Sequence, residues 1–225
     1  ERGAMNESLL QIVRANVKEP VQVEGDIFAL VACNEIGGKR LLTIMDECGL
    51  EEIDTVGDEI FARSRKAMME EIAKLPRGTW HNKMTIDGFE SAIDLCAALT
   101  VDDTGIHIDM EGTSEPSRYG INCPMCYTEA YASFGVKCLV APHLPNNAAT
   151  MACITVSAPE NCIANAQFPR PGVARSTIGM FLPDLVFGCF EQLLDDRVPA
   201  ESTGTLWNIR LGQQPDGKHP GFMVT

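Results

Sequence analysis

The sequence predicts a mixed α/β (α+β) fold: long N-terminal helices, then a mixed sheet with irregular loops rich in Pro and Asn. Three observations carry this. Apolar residues recur at helical spacing from Leu9 to Leu75. From Thr79 the period changes from helical to alternating. From Cys138 to Gly179 the chain holds five of its thirteen prolines, at 142, 145, 159, 169 and 171, together with Asn146, Asn147, Asn161 and Asn165. Proline fixes φ and pushes the preceding residue toward extended geometry. Asn bonds its own backbone and tolerates left-handed conformations. The expected division is a helical region over 1–78 and a mixed α/β region over 79–225.

Taken in order, Asn6 is positioned to cap a first helix running through Val13, with Leu9, Ile12 and Val13 on one side. Val17 to Val23 reads as an extended link around Pro20. A second helix is expected to begin at Gly25-Asp26, with Asp26 near its positive end. It carries two apolar stripes, Ile27, Leu30 and Val31, then Leu41, Leu42 and Met45. Gly37-Gly38 between them kinks the helix or allows close packing, and Gly49 ends it. A third helix follows from Ile53, Val56, Ile60, Ala67, Met68, Ile72 and Leu75, and is closed by Pro76-Arg77-Gly78.

Thr79 to Ile86, Ala92 to Val101 and Ile106 to Met110 read as strands, with turns at Asp87-Gly88 and Asp102 to Gly105. His107 and Asp109 face away from Ile106, Ile108 and Met110. Gly112 to Pro124 is a polar loop, and a helix is expected from Tyr127 to Leu139. The Pro/Asn-rich stretch reads as fixed turns around one short strand, Met151 to Ser157. A helix from Leu182 to Leu194 follows, with Pro183 tolerated in its first turn. Arg197 to Thr205 reads as a loop and Trp207 to Leu211 as a short strand, and the polar tail from Gln213 is expected to fray.

A chain of 225 residues buries roughly 70% of its unfolded surface, enough for one large domain or two small ones. The formal net charge is −13, which argues against nucleic acid as the main partner, because a phosphate backbone needs Lys and Arg opposite it. No apolar run approaches the roughly 20 residues of a membrane span. The cysteine count is odd, at nine, and most lie among apolar neighbours. Free buried thiols in a reducing cytoplasm fit this better than a disulfide framework.

Cys123-Pro-Met-Cys126 is a C-x-x-C without a second pair at zinc spacing, and reads as structural thiols. The four histidines, 81, 107, 143 and 219, are far apart. His143, between two prolines, is the one worth testing, and no metal site is expected within the chain. Gly112-Thr113-Ser114 combines a glycine that lets backbone approach a ligand with two hydroxyls; an ST-turn explains it equally well. No phosphate-cradling loop, no G-x-S-x-G elbow and no G-x-G-x-x-G is present.

The stretch PHLPNNAATMACITVSAPENCIANAQFPRPGVARSTIG resembles the middle of the hydantoinase B/oxoprolinase B family. The resemblance extends upstream to ANVKEPVQVEGDIFALVACNEIGGKRLL and DMEGTSEPSRYGINCP, and downstream to LPDLVFGCFEQLLDDRVPAESTGTLWNI. It implies a B-type subunit of a longer protein, cytoplasmic, in a hetero-oligomer with an ATP-binding A-type partner. Such complexes open cyclic amides such as hydantoin, oxoproline or a related lactam. Relatives carboxylate ketones, and a non-catalytic scaffold module is the third expectation. ATP would reach the reaction through the A-type partner. A divalent metal would sit in a part preceding the equivalent of Glu1. The motif positions carried over are Gly25 and Asp26; Gly112, Thr113 and Ser114; Asn122; Asn146 and Asn147; and Arg175. Of these, Thr113, Ser114, Asn122, Asn146, Asn147 and Arg175 are candidate substrate-binding residues. The catalytic residues stay unassigned. Two departures stand out: Ala148-Ala149-Thr150 follows the Asn pair where Ala-Gly is more usual, and Ser176 follows Arg175 where several relatives have His.

Overall fold

The computed structural model describes residues 3–194, 196–201 and 203–204, and the backbone of two short strands, 211–213 and 222–224. The chain clusters into two compact units, Glu1–Asp58 and Glu59–Thr225. The fold is mixed α/β with a four-stranded mixed sheet, as the change of period requires.

In the first unit, helix α1 (Glu7–Asn16) is capped by Asn6, whose Oδ1 accepts from the Leu9 N–H at 3.2 Å. Helix α2 runs unbroken from Pro20 to Cys48. The expected link around Pro20 is instead its first turn. Proline at the first helical position lacks an N–H that would be unpaired there anyway, and its φ already suits a helix. Asp26 therefore lies past the first turn, and Gly37 and Gly38 sit within the helix. Gly49, in the left-handed conformation at φ 64°, ends it. Arg14 joins α1 to α2 by pairing with Glu7 and Glu24, both at 2.6 Å. No residue of α2 is buried.

The second unit is built on strands β1 (Gly78–Ile86), β2 (Ile93–Val101), β3 (Ile106–Asp109) and β4 (Ile154–Ser157), in that order across the sheet. The first three are antiparallel neighbours, and β4 joins β3 in parallel. Strict alternation in β2 sends Ile93, Leu95, Ala97, Leu99 and Val101 into the core and Asp94, Cys96, Ala98 and Thr100 to the other face. Helices α4 (Met125–Val140) and α7 (Leu182–Phe190) cover the core face. Helix α3 (Asp54–Ile72) contributes Met68 and Ile72 to the same cluster. Asn82 points toward this face and donates to the Leu185 carbonyl of α7 at 2.9 Å, so its amide is not left unpaired.

The open face is polar and cross-linked. Lys83 pairs with Asp94 at 2.8 Å, and Thr79 meets Thr100 at 2.9 Å. His107 bridges β3 to β4 through Thr155 at 2.6 Å.

Three further expectations are corrected. Met151–Ser157 is not one strand: α5 (Ala148–Met151) precedes β4, because Asn147 caps a helical turn there. The helix from Leu182 ends at Phe190, not Leu194. Cys123, Cys153, Cys162 and Cys189 are buried, but Cys33, Cys48, Cys126 and Cys138 are exposed. All nine thiols are free. Trp207 lies outside the described residues. Within the expected fraying tail, β6 (Phe222–Val224) pairs antiparallel with β5 (Leu211–Gln213). Among the described residues no helix is long and apolar enough to cross a membrane.

Candidate functional site

The loops at the ends of β3 and β4 are held by polar side chains that replace missing backbone partners. Strand β3 pairs only with Ala98 to Val101, so Asp94 and Cys96 of β2 need other partners. Gly112, at φ 86°, turns the chain back toward them, a conformation that strains any residue with a Cβ. Thr113 Oγ1 then accepts from the Cys96 N–H at 3.1 Å, and Ser114 Oγ accepts from the Asp94 N–H at 2.9 Å. The hydroxyls thus extend the sheet edge.

Asn122, 1% exposed, ties three segments together. Its Oδ1 accepts from the Ser117 N–H at 2.8 Å. Its Nδ2 lies 2.8 Å from the Ser117 carbonyl, 2.9 Å from that of Tyr119 and 2.8 Å from that of Pro171. Glu90 anchors the same loop. Burial opposes its charge, but hydrogen bonds from Ser117 Oγ and the Arg118 N–H outweigh this and hold its carboxyl below the usual range.

Asn147 caps α5 by accepting from the Ala149 and Thr150 N–H groups at 3.1 and 3.0 Å, and its amide donates to buried Ser64 at 2.8 Å. Asn146 beside it is exposed. Lys137, 4% exposed, donates to the carbonyls of Ala141 and Leu144 at 2.6 and 3.2 Å. It thereby pins the loop carrying exposed His143 to the end of α4, and burial lowers its pKa.

Arg175 sits at the start of α6 (Ser176–Gly179), over the first turn of α4, whereas the loop with His143, Asn146 and Asn147 is tied to Lys137 near the other end of that helix. Its side chain is exposed, and its guanidinium lies 5.2 Å from the centre of the Tyr127 ring. Nη1 reaches the Gly172 carbonyl at 3.4 Å. Among the described residues no carboxylate lies within 4 Å of it. Tyr127 stacks on Tyr131, with ring centres 4.5 Å apart and planes 17° apart. Gly179 abuts the Tyr127 ring, and a Cβ at that position would overlap it. Burial, then the neighbouring Tyr131, pushes the Tyr127 hydroxyl up to about 12, so it stays protonated. Burial likewise pushes the Cys123 thiol up to about 12, and its S–H donates to the Arg175 carbonyl at 3.3 Å. Cys123 is therefore a support for the Arg175 turn, with Cys126 exposed beyond it.

An exposed guanidinium over a tyrosine ring has further N–H donors with which it can hold an oxyanion or carbonyl. Of the six candidate binding residues, Asn146 and Arg175 face solvent; Thr113, Ser114, Asn122 and Asn147 are engaged within the chain. Gly25 and Asp26 are exposed on α2. Tyr127 and Tyr131 are absent from the sequence-based set, although their i,i+4 spacing on a predicted helix was legible. So is His107, whose Nε2 meets Thr104 at 2.7 Å and Asp102 at 3.3 Å. Its signal was an outward position in β3 beside an Asp-x-Thr turn. Among the described residues no three His, Cys, Asp or Glu side chains converge to hold a metal.

The Hydantoinase B/oxoprolinase family model matches residues 1–225. The chain belongs to this family. A family member of Pseudomonas sp. (strain NS671), assigned as the B-type component of a D-/L-hydantoinase, is 27% identical over 99% of this chain and 40% of its own length. The hydantoinase B/oxoprolinase chain described here thus spans about two fifths of that relative. An ATP-dependent caprolactamase from Pseudomonas jessenii shares the fold at a TM-score of 0.79, with 20% identity over 87% of this chain and 34% of that one. A nucleotide-free acetone carboxylase shares it at 0.64, with 14% identity over 82% and 26% respectively.

Proposed function

We propose that this chain is part of the B-type subunit of an ATP-dependent cyclic amidase that opens hydantoin, oxoproline or a related lactam. In this reading it works in the cytoplasm, in a hetero-oligomer with an A-type partner. The observation that carries the site assignment is the Arg175 guanidinium, exposed, without a carboxylate partner among the described residues, and braced on Tyr127. Opening a cyclic amide by water breaks the C–N bond and leaves a new carboxylate and a new amine. Arg175 offers the donors that a ring carbonyl, and then that carboxylate, requires. Asn146 is exposed on the loop tied to the other end of α4 and does not share this site. Thr113, Ser114 and Asn122 act as positioning residues by holding these loops before substrate arrives, which lowers the ordering cost of binding. ATP, bound by the A-type partner in this reading, supplies the driving force for attack on an unreactive amide. The described residues do not form the donor set for a divalent metal, so no role here rests on one.

A B-type subunit of a ketone carboxylase is the second reading, favoured by the fold shared with acetone carboxylase. The two separate in the assembled complex. Full-length B-type subunit purified with its A-type partner is assayed for ATP-dependent opening of hydantoin, oxoproline and caprolactam, and for bicarbonate-dependent consumption of acetone. Ring opening supports the first reading and ketone carboxylation the second. Arg175→Ala is expected to lower kcat/KM by roughly one to two orders of magnitude while the complex stays assembled. Full activity of that variant removes the site assignment and leaves the loops as a scaffold.

A further inference from the structure

The chain holds 31 acidic residues against 18 Lys and Arg. Two stretches depart from that balance: 116–128 and 161–183 contain no acid, and three arginines, Arg118, Arg170 and Arg175. Folding lays the two side by side. The Ala174 N–H donates to the Gly120 carbonyl at 2.7 Å, the Asn122 amide to that of Pro171 at 2.8 Å, and the Thr128 hydroxyl to that of Ala164 at 2.6 Å. Glu90, from another segment, is committed to Arg118 at 3.4 Å. Arg170 and Arg175 are exposed, and among the described residues neither has a carboxylate within 4 Å. The acids that follow each stretch line other clefts, Glu129 with Met151 and Ile154, and Asp184 with Glu191 and Glu201. Arg175 Nη1 lies 3.4 Å from the Gly172 carbonyl, and Gly172 is at most about 7 Å of chain from Arg170.

Given the cyclic-amidase reading, on which this rests, we infer that the site takes a cyclic amide bearing its own carboxylate, and that Arg170 determines that specificity. A guanidinium keeps its charge at any working pH. Two of them without counterions form a local positive field that concentrates anions on an otherwise acidic protein. Hydantoin and caprolactam are neutral rings that offer carbonyls alone. Oxoproline adds a carboxylate beside the ring nitrogen, so one guanidinium can meet the ring carbonyl while the second meets the charge. The same donors gain more from a charged acceptor than from a neutral one.

The full-length B-type subunit with its A-type partner tests this on oxoproline and pyrrolidinone, which share one lactam ring and differ in the carboxylate. The expected kcat/KM is about tenfold or more higher for oxoproline. Arg170→Gln should narrow that gap about fivefold, through KM, and leave pyrrolidinone within about twofold. Added salt should raise KM for oxoproline alone. Opening of hydantoin or caprolactam but not oxoproline, equal use of oxoproline and pyrrolidinone, or an Arg170→Gln variant that lowers both equally overturns the inference and leaves the amidase reading standing. Loss of the A-type partner from that variant makes the patch a protein interface and also overturns it. Failure to open any cyclic amide removes the amidase reading and the inference with it.

Discussion

The loops around Arg175 and helix α2 are opposites in how they satisfy their own chemistry. In the loops the buried polar side chains have partners inside the chain. Asn122 alone answers one N–H and shares its two amide hydrogens among three carbonyls, and Asn147, on the loop at the other end of α4, answers two N–H groups and Ser64. In α2 the apolar side chains have no such closure: Phe28, Leu30, Ile36, Leu42 and Ile44 are all exposed. A segment full of Pro and Asn looks loose in sequence yet is over-determined in space. A 29-residue helix looks self-sufficient yet leaves its apolar surface unspent. Internal hydrogen bonding and unpartnered apolar area are therefore separate signals, one of rigidity and the other of association.

The largest expected effect breaks the loop side of this contrast. Asn122→Ala strands a buried N–H and up to three carbonyls, at a cost on the order of 3 kcal/mol. A fall in the urea midpoint checks it, and a near-normal midpoint would show that the loops do not depend on this knot. Asn147→Ala removes a cap and the Ser64 bond, and should cost about 1–2 kcal/mol by the same measurement. Arg175→Ala sharpens the contrast by doing little to stability, within about 0.5 kcal/mol, because its side chain is exposed. A stability loss as large as that of Asn147→Ala would recast Arg175 as structural.

The thiols report the contrast by kinetics. Cys48 and Cys126 should label quickly in the native state, Cys138 more slowly because burial raises its pKa, and Cys123, Cys153, Cys162 and Cys189 only after unfolding. Burial holds Cys189 up at about 11 and Cys123 at about 12, which suppresses their thiolates as well as their access.

The smallest effect is with pH. Hydrogen bonds from Thr104 Oγ1 and its N–H, then from His107, hold Asp102 down at about 2. A depressed carboxylate contributes stability above its unfolded value, and that contribution fades as pH falls through about 4 toward 2. Asp102→Asn should flatten the melting temperature across that window, and an unchanged slope would show that Asp102 carries none of it.

How much of this was legible depended on the range of the cause. Asn6 as a cap, Gly49 as a helix end and the alternation of β2 follow from residues within one turn or one pleat, and all three were readable. Pro20 was misread because proline is equally at home in a link and in a first helical turn. Only what precedes and follows decides between them. Asn147 was readable as a polar residue, but its duty depended on Ser64, 83 positions away. Tyr127 and Arg175 are 48 residues apart in sequence. Nothing local brings them together: the Asn122 knot, the contact of Gly179 with the Tyr127 ring and the Cys123 thiol beneath the Arg175 carbonyl do so. The sequence by itself therefore determined the change from helix to sheet and the family, because both rest on local pattern. Which polar side chains were consumed by the fold and which were left facing solvent was decided by the tertiary structure, because a hydrogen bond is spent wherever the chain happens to return.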